Sequence, residues 1–427
     1  MISTGLRLSS VVPATATAEQ NMVHELRDMD LAMKLHYIEG LYFFKSDAVE
    51  GLTIYDLKKP MFHLLQLYFT ASGRIRLSET GRPFIKCNDS GVRIVEAYSE
   101  EAMDQWLAMA MEDSSLFDDL TYNQALGPDL GFSPLVFLQQ FTWFKCGGMS
   151  VGLSWANVLG DAFSASAFIN MWGKIMAGHL PLKPLHVPVP GKPEFPALST
   201  PNTSSSLKRV DSVGDYWVTP NNCKMRKHTF HVSAKKLDHL LSNQSTKFSA
   251  FEVLSAIIWK SLSKIKENSE QTRRVTICTN SHEREYEIPS NNMVLSTVEA
   301  DFLVTEADVS ELVELILNRR AKENGIVEEM KGFESGSSDF IAYGANLAFV
   351  NLEEAEIYGL ELKGQKPVYA NYSINGVGDE GVVLVLPGPK YGKEEANIRG
   401  GRLVTVVLPE NEVAQLKTEL QREWSTA

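Results

Sequence analysis

The chain has no long apolar run. No window approaches the ~18 uninterrupted apolar residues that a membrane-spanning helix needs. Its start, MISTGLRLSSVVPATATAEQ, also lacks the apolar core of a secretory signal, so the chain is expected to be made and kept in the cytosol. Positive charge is scarce as well. Lys and Arg number 41 against 53 Asp and Glu, a formal charge of -12, and the basic pairs Lys58-Lys59, Lys235-Lys236 and Arg273-Arg274 lie far apart. That distribution excludes the basic stripe of a nucleic-acid-binding surface. Cysteine is the third scarcity. Cys87, Cys146, Cys223 and Cys278 are widely spaced with no Cys-x-x-Cys pair, which argues against a zinc site or a disulfide framework and for reduced, mostly buried thiols. No metal is expected.

What is present is an ordinary soluble composition, 44% hydrophobic and 22% charged, over 427 residues, a length that calls for two hydrophobic cores. Prolines crowd residues 181–201, and residues 202–206 are polar, the composition of an extended connection. The expected organisation is therefore a first domain over 1–180, a Pro-rich crossover linker over 181–210 and a second domain over 211–427.

Strand-like and helix-like stretches alternate in both halves, the pattern of two α/β domains. In the first half, strands are expected at 6–12 and 37–44, and a short helix at 28–35. A longer helix opens at Thr53, with Asp56 completing a weak capping box and Pro60 bending it. Residues 82–88 and 92–97 read as the arms of a hairpin turning at 89–91. In the second half, strands are expected at 228–232, 275–278, 294–298, 338–350, 369–374, 382–386 and 403–408. Helices are expected from Ser249, at 310–323 and from Glu410.

The rest of the chain is organised around residues 132–174. A β-branched and aromatic run at 136–144 is broken by Gly147-Gly148 and resumes at 149–155, which reads as a hairpin. After Ala156 comes Asn157-Val-Leu-Gly-Asp161. Apolar residues then recur at mostly helical spacing as far as Lys174. A polar pentapeptide thus stands between a buried strand and a buried helix.

Two other spacings carry less. His24-Glu-Leu-Arg-Asp28 has a His-x-x-x-Asp spacing but lies in a polar N-terminal segment without flanking strands. Gly376-Val-Gly-Asp-Glu-Gly381 has the Gly-x-Gly-x-x-Gly spacing of a dinucleotide loop, yet a strand follows where a helix should begin, so a turn cluster explains it better. His36, His63, His228 and His231 sit on apolar or strand-like stretches and are expected to be packed or at the surface.

Residues 132–174 resemble the signature region of the BAHD acyltransferases, plant enzymes that move an acyl group from coenzyme A to an alcohol or amine. The segments LKKPMFHLLQLYFTASGR and IKCNDSGVR strengthen the likeness. LRLSSVVPA, KCGGMSVGLSWANVLGDAFSAS, RVDSVGDYWVTPN and SSDFIAYGANLAFVNL narrow it to the eceriferum branch, associated with plant cuticular wax. The resemblance implies two similar-sized domains of mixed sheets and helices, chloramphenicol-acetyltransferase-like, with a tunnel between them. The family pentapeptide reads His-x-x-x-Asp, and its histidine takes the proton from the attacking acceptor. Here Asn157 stands first, and an amide accepts no proton near neutral pH. Gly160 and Asp161 are carried over as structural residues, Asp161 paired with an arginine in the family, and Ser154, Trp155 and Asn157 as tunnel lining. The second signature, Asp-Phe-Gly-Trp-Gly, is degenerate as well; Asn371, Tyr372, Gly376 and Gly378 stand in its region.

With the general-base position altered, no catalytic residue is expected. What the resemblance implies is an accessory protein that promotes elongation of very-long-chain fatty acyl-CoA for wax. It would act with a 3-ketoacyl-CoA synthase, the condensing enzyme of the fatty acid elongase, at the cytosolic face of the endoplasmic reticulum or in the cytoplasm. Two alternatives stand beside it, a CoA-dependent acyltransferase with an unusual or weak base and a long-chain acyl-CoA binding protein. No permanently bound cofactor is expected, with acyl-CoA as a candidate ligand.

Overall fold

The computed structural model describes residues 6–121, 136–180, 205–214, 218–242, 248–267, 270–281, 289–318, 320–322, 327, 338–389 and 400–425. Two mixed sheets dominate. The six-stranded sheet runs in the order Arg7–Val11, Val92–Ser99, Val136–Phe144, Met149–Ala156, Tyr37–Phe44, Tyr369–Asn375. The seven-stranded sheet runs Met225–Val232, Arg402–Pro409, Val382–Pro387, Leu347–Asn351, Arg274–Thr279, Val294–Glu299, Ala321–Lys322. Tyr369–Asn375 belongs to the second half of the sequence but completes the first sheet, antiparallel to Tyr37–Phe44.

The hairpin of the organising stretch forms as its residues dictate, Val136–Phe144 pairing antiparallel with Met149–Ala156 around Gly147 at φ 82°. The helix Ala162–Met176 follows and buries most of its length. Trp172 locks it to the neighbouring helix Ile54–Leu67 by donating its indole N–H to the Leu57 carbonyl at 3.0 Å. That neighbour opens on the expected capping box. Thr53 Oγ1 accepts from Asp56 N and the Asp56 carboxylate accepts from Thr53 N, and the helix continues through Pro60. The second sheet carries its own core against the helices Ala250–Ile265, Val309–Asn318 and Glu410–Ser425.

Several expectations are corrected. Residues 82–97 do not make a hairpin. Pro83–Lys86 pairs with Arg74–Leu77 and Val23–Glu25 in a small separate sheet, whereas Val92–Ser99 enters the six-stranded one. Two positive-φ residues, Asp89 and Gly91, redirect the chain between them, and the buried Arg74 guanidinium fixes that bend by donating to the carbonyls of Gly73, Ser90 and Gly91. Residues 338–350 split into Ser338–Ile341 and Leu347–Asn351, which lie in different sheets, because Gly344 at φ 92° turns the backbone. The helix expected at 310–323 ends at Asn318, and residues 321 and 322 pair as a strand. Cys87 and Cys278 are buried free thiols, but Cys146 and Cys223 are exposed. Lys208–Asp211, inside the expected linker, pairs with Ser338–Ile341; residues 181–204 lie outside the described residues.

Candidate functional site

The pentapeptide is built from the strand upward. Met149–Ala156 ends in a single turn, Asn157–Leu159. Gly160 at φ 151° then reverses the backbone, so that Asp161 sits at the cap of the following helix. The Asp161 carboxylate accepts the amide hydrogens of Phe163 and Ser164, each at 3.2 Å, which satisfies two orphan donors of the helix start. Its other oxygen accepts from Asn292 N at 3.0 Å. Residues 290–292, from the second half, lie across the whole loop. Ser290 O accepts from Asp161 N, Ser290 N donates to Ser164 Oγ, and the Asn291 amide donates to the Asn157 carbonyl at 2.7 Å. Gly160 is required by both conformation and space, since a Cβ there would lie 2.6 Å from Ser290 N.

Asn157 itself has no exposed surface. Its backbone N–H donates to the His36 carbonyl at 3.0 Å. Neither side-chain amide atom makes a well-formed hydrogen bond to a described residue, although the Tyr343 hydroxyl faces the amide closely enough to be influenced by it. Burial pushes Tyr343 well above the ordinary tyrosine range, reinforced by Cys278 and Asp161 and only partly opposed by Asn157. Burial likewise pushes the Cys278 thiol up to about 12.

His36 is the histidine nearest in this network, and its ring is fully committed. Nδ1 lies 2.8 Å from the Gly376 carbonyl, while Nε2 lies 3.1 Å from Ala342 N and 3.2 Å from Tyr343 N. A carbonyl can only accept and the amides can only donate, so the ring is neutral, with its hydrogen on Nδ1. Burial pulls its pKa down to about 4. The ring also packs edge-on against Tyr343, with centroids 4.9 Å apart.

The region of the second signature meets the first at this ring. Gly376 is again obligatory. It adopts φ 74°, and a Cβ would come within 2.0 Å of the Leu35 carbonyl oxygen. Gly378 packs backbone to backbone on Gly344, donating its N–H to the Tyr343 carbonyl at 2.8 Å. Asn371 is held between Thr229 and Thr405 by bonds of 2.9 and 2.8 Å, and the Tyr372 hydroxyl meets that of Tyr42 at 2.5 Å.

A transferase-family model matches residues 4–422. The chain is 43% identical to Protein ECERIFERUM 2 of Arabidopsis thaliana over 98% of this chain and 97% of that protein. The chain belongs to the BAHD acyltransferase family. Within it, the likeness to Protein ECERIFERUM 2 places it on the eceriferum branch. The fold agrees. Vinorine synthase superposes with a TM-score of 0.72 at 17% identity, covering 97% of each chain. TRI101 of F. graminearum, complexed with coenzyme A and deoxynivalenol, gives 0.69 at 15% identity, covering 95% of this chain and 98% of the other.

In this BAHD chain the residues expected at the site separate. Asn157, Gly160 and Asp161 stay together under the 290–292 segment. Ser154 lies on the same sheet face as Glu39, with which it is paired in register. Trp155 points the other way. Its ring packs on Phe168 at 5.2 Å and its N–H donates to Gly160 O at 2.8 Å, so it buttresses the loop from the helix side instead of lining the space between the halves. Asn371 and Tyr372 border a small hollow between the halves, with room for little more than a water molecule. Among the described residues, no cluster of metal-ligating side chains occurs.

Sequence reasoning missed the polar residues that fill this hollow. Glu39, 2% exposed, accepts from Lys227 Nζ at 2.6 Å, Asn375 Nδ2 at 2.6 Å, Ser373 Oγ at 3.0 Å and Thr121 Oγ1 at 3.2 Å. Lys227 also reaches Asp118 at 2.5 Å. Burial pulls the Lys227 pKa down, but Glu39 and Asp118 more than offset it, and the ammonium is held above the ordinary lysine value. The available signal was Glu39 itself, a lone carboxylate in the otherwise apolar and aromatic run YIEGLYFF, which a buried strand tolerates only with partners.

Proposed function

We propose that this chain is a non-catalytic BAHD-like accessory protein that promotes elongation of very-long-chain fatty acyl-CoA for cuticular wax. It acts with a 3-ketoacyl-CoA synthase at the cytosolic face of the endoplasmic reticulum. One observation carries the reading: the general-base position is held by Asn157, and the basic side chains His36 and Glu39 already spend their lone pairs on hydrogen bonds. Asn157 is an amide. The basic nitrogen of His36 already accepts two backbone hydrogens, and the four donors on Glu39 occupy its carboxylate. The Cys278 thiol stays protonated. Transfer of an acyl group to an alcohol needs a base within hydrogen-bond reach of the acceptor, an effect worth roughly 10²- to 10⁴-fold in rate.

The likeness to Protein ECERIFERUM 2 along nearly the full chain supports a wax-related role. The coenzyme A bound by TRI101, which has the same fold, supports acyl-CoA as a ligand. Among the described residues no helix is long and apolar enough to cross a membrane, so membrane association is assigned to the partner.

The test is the acyl chain-length distribution from four yeast strains: condensing enzyme alone, with this protein, with Asn157→Ala, and this protein alone. Longer products are expected in the second and third strains only. New products from the fourth, or loss of the shift in a stably folded Asn157→Ala protein, would overturn the reading in favour of transferase chemistry. Saturable acyl-CoA binding with no shift in any strain would replace it with a carrier function.

A further inference from the structure

The three charges between the halves form an unusual group. Lys227 lies on Met225–Val232, the edge strand of the seven-stranded sheet, and its ammonium is inserted between Glu39 of the six-stranded sheet and Asp118 of the 3-10 segment Ser114–Leu120. A structural ion pair needs one carboxylate. Here a single cation serves two, and Glu39 is further anchored by Thr121, Ser373 and Asn375. Burying the Lys227 and Glu39 charges is costly, and such pairs commonly add little net stability over an apolar filling, whereas Asp118 keeps 40% of its side chain exposed. Their arrangement is nevertheless that of a recognition site for a primary ammonium. Glu39 and a neutral wall, Leu41 and Phe117, line the hollow that the lysine borders, and Asp118 meets the same ammonium from outside that lining.

We propose that Lys227 is an internal stopper, occupying with its own side chain a primary-ammonium site between the two halves and thereby keeping that site closed to small primary amines. The lysine stem beyond Cβ has the size and shape of propylammonium. Shortening the side chain to alanine leaves Glu39 and Asp118 facing a void of that shape, with the remaining anchors of Glu39 still in place. The inference builds on the reading of this chain as non-catalytic. Its test measures binding and stability and not product formation, so either can fail without the other.

Wild-type protein, Lys227→Ala and Lys227→Met are compared by thermal unfolding and titration calorimetry in propylammonium chloride, with sodium chloride and tetramethylammonium chloride at equal ionic strength as controls. Lys227→Ala is expected to melt lower than wild type, to bind propylammonium saturably and at least ~10-fold more tightly than wild type, and to regain melting temperature as it does so. Lys227→Met fills the stem volume without the charge and is expected to fold and ignore the amine. Propylammonium acting on Lys227→Ala no better than sodium overturns the proposal, as does an equal response from Lys227→Met. Where Lys227→Ala does not fold unaided, its refolding yield is the measurement. Recovery specific to propylammonium supports the stopper, and no recovery alongside a folded Lys227→Met overturns it.

Discussion

His36 shows how a titratable side chain can be removed from chemistry by its partners. Protonating Nε2 would place a third hydrogen against the amides of Ala342 and Tyr343, and burial already holds the ring's pKa near 4, against about 6.5 when unfolded. The sign follows directly. Below pH about 6.5 the unfolded chain binds a proton that the native one refuses, so this contribution is complete above that value and is lost as pH falls toward 4, to a total of about 3 kcal/mol. His228, pulled down to about 4 mainly by burial, acts in the same direction. Urea midpoints of wild type should therefore fall between about pH 7 and about pH 4.5, and those of His36→Asn should fall less steeply. Parallel slopes would show that His36 does not carry the effect.

At the scale of elements, Asp161 joins the helix Ala162–Met176 to the 290–292 segment. Asp161→Ala removes an N-cap, worth about 1 kcal/mol, and strands the half-buried amide of Asn292 at roughly 1 kcal/mol more. Asp161→Asn keeps an acceptor and should recover at least half of that loss in denaturant unfolding; equal losses in the two variants would point to the charge and not the cap. The hairpin around Gly147 and the capping box at Thr53 were legible in the sequence, whereas Asp161 was expected as a structural residue and its capping bonds emerge only in the structure. What could not be read was any feature fixed by a distant segment. The bend at 89–91 depends on Arg74, and the split of 338–350 shows only in the pairing of its two parts with different sheets. Ser290 and Asn292 meet the loop through backbone atoms, which leave no trace in residue type. The same limit hid Lys227, whose partners come from elements far away in sequence, although Glu39 signalled that some partner was needed.

For the whole molecule, the decisive feature is that the two halves are not separable at the linker. A fragment of residues 1–180 lacks the strand Tyr369–Asn375, the Tyr372 partner of Tyr42, the Lys227 partner of Glu39 and the 290–292 segment over the pentapeptide loop. Expressed alone it should be insoluble or lack cooperative unfolding, and coexpression with residues 205–427 should rescue it. A soluble 1–180 fragment with a sharp melting transition would contradict this. The same strand sets an order of events during synthesis. Tyr37–Phe44 leaves the ribosome early, yet its outer neighbour in the sheet is not made until residue 375, and at roughly 5 to 20 residues per second the wait is on the order of tens of seconds. Throughout that interval an aromatic edge strand has open backbone hydrogen-bonding groups, the kind of edge that pairs with whatever strand arrives first. The nascent chain is thus a natural client for chaperones, and low growth temperature or chaperone supply should govern the yield of folded protein more strongly than they would for a protein whose halves fold one after the other.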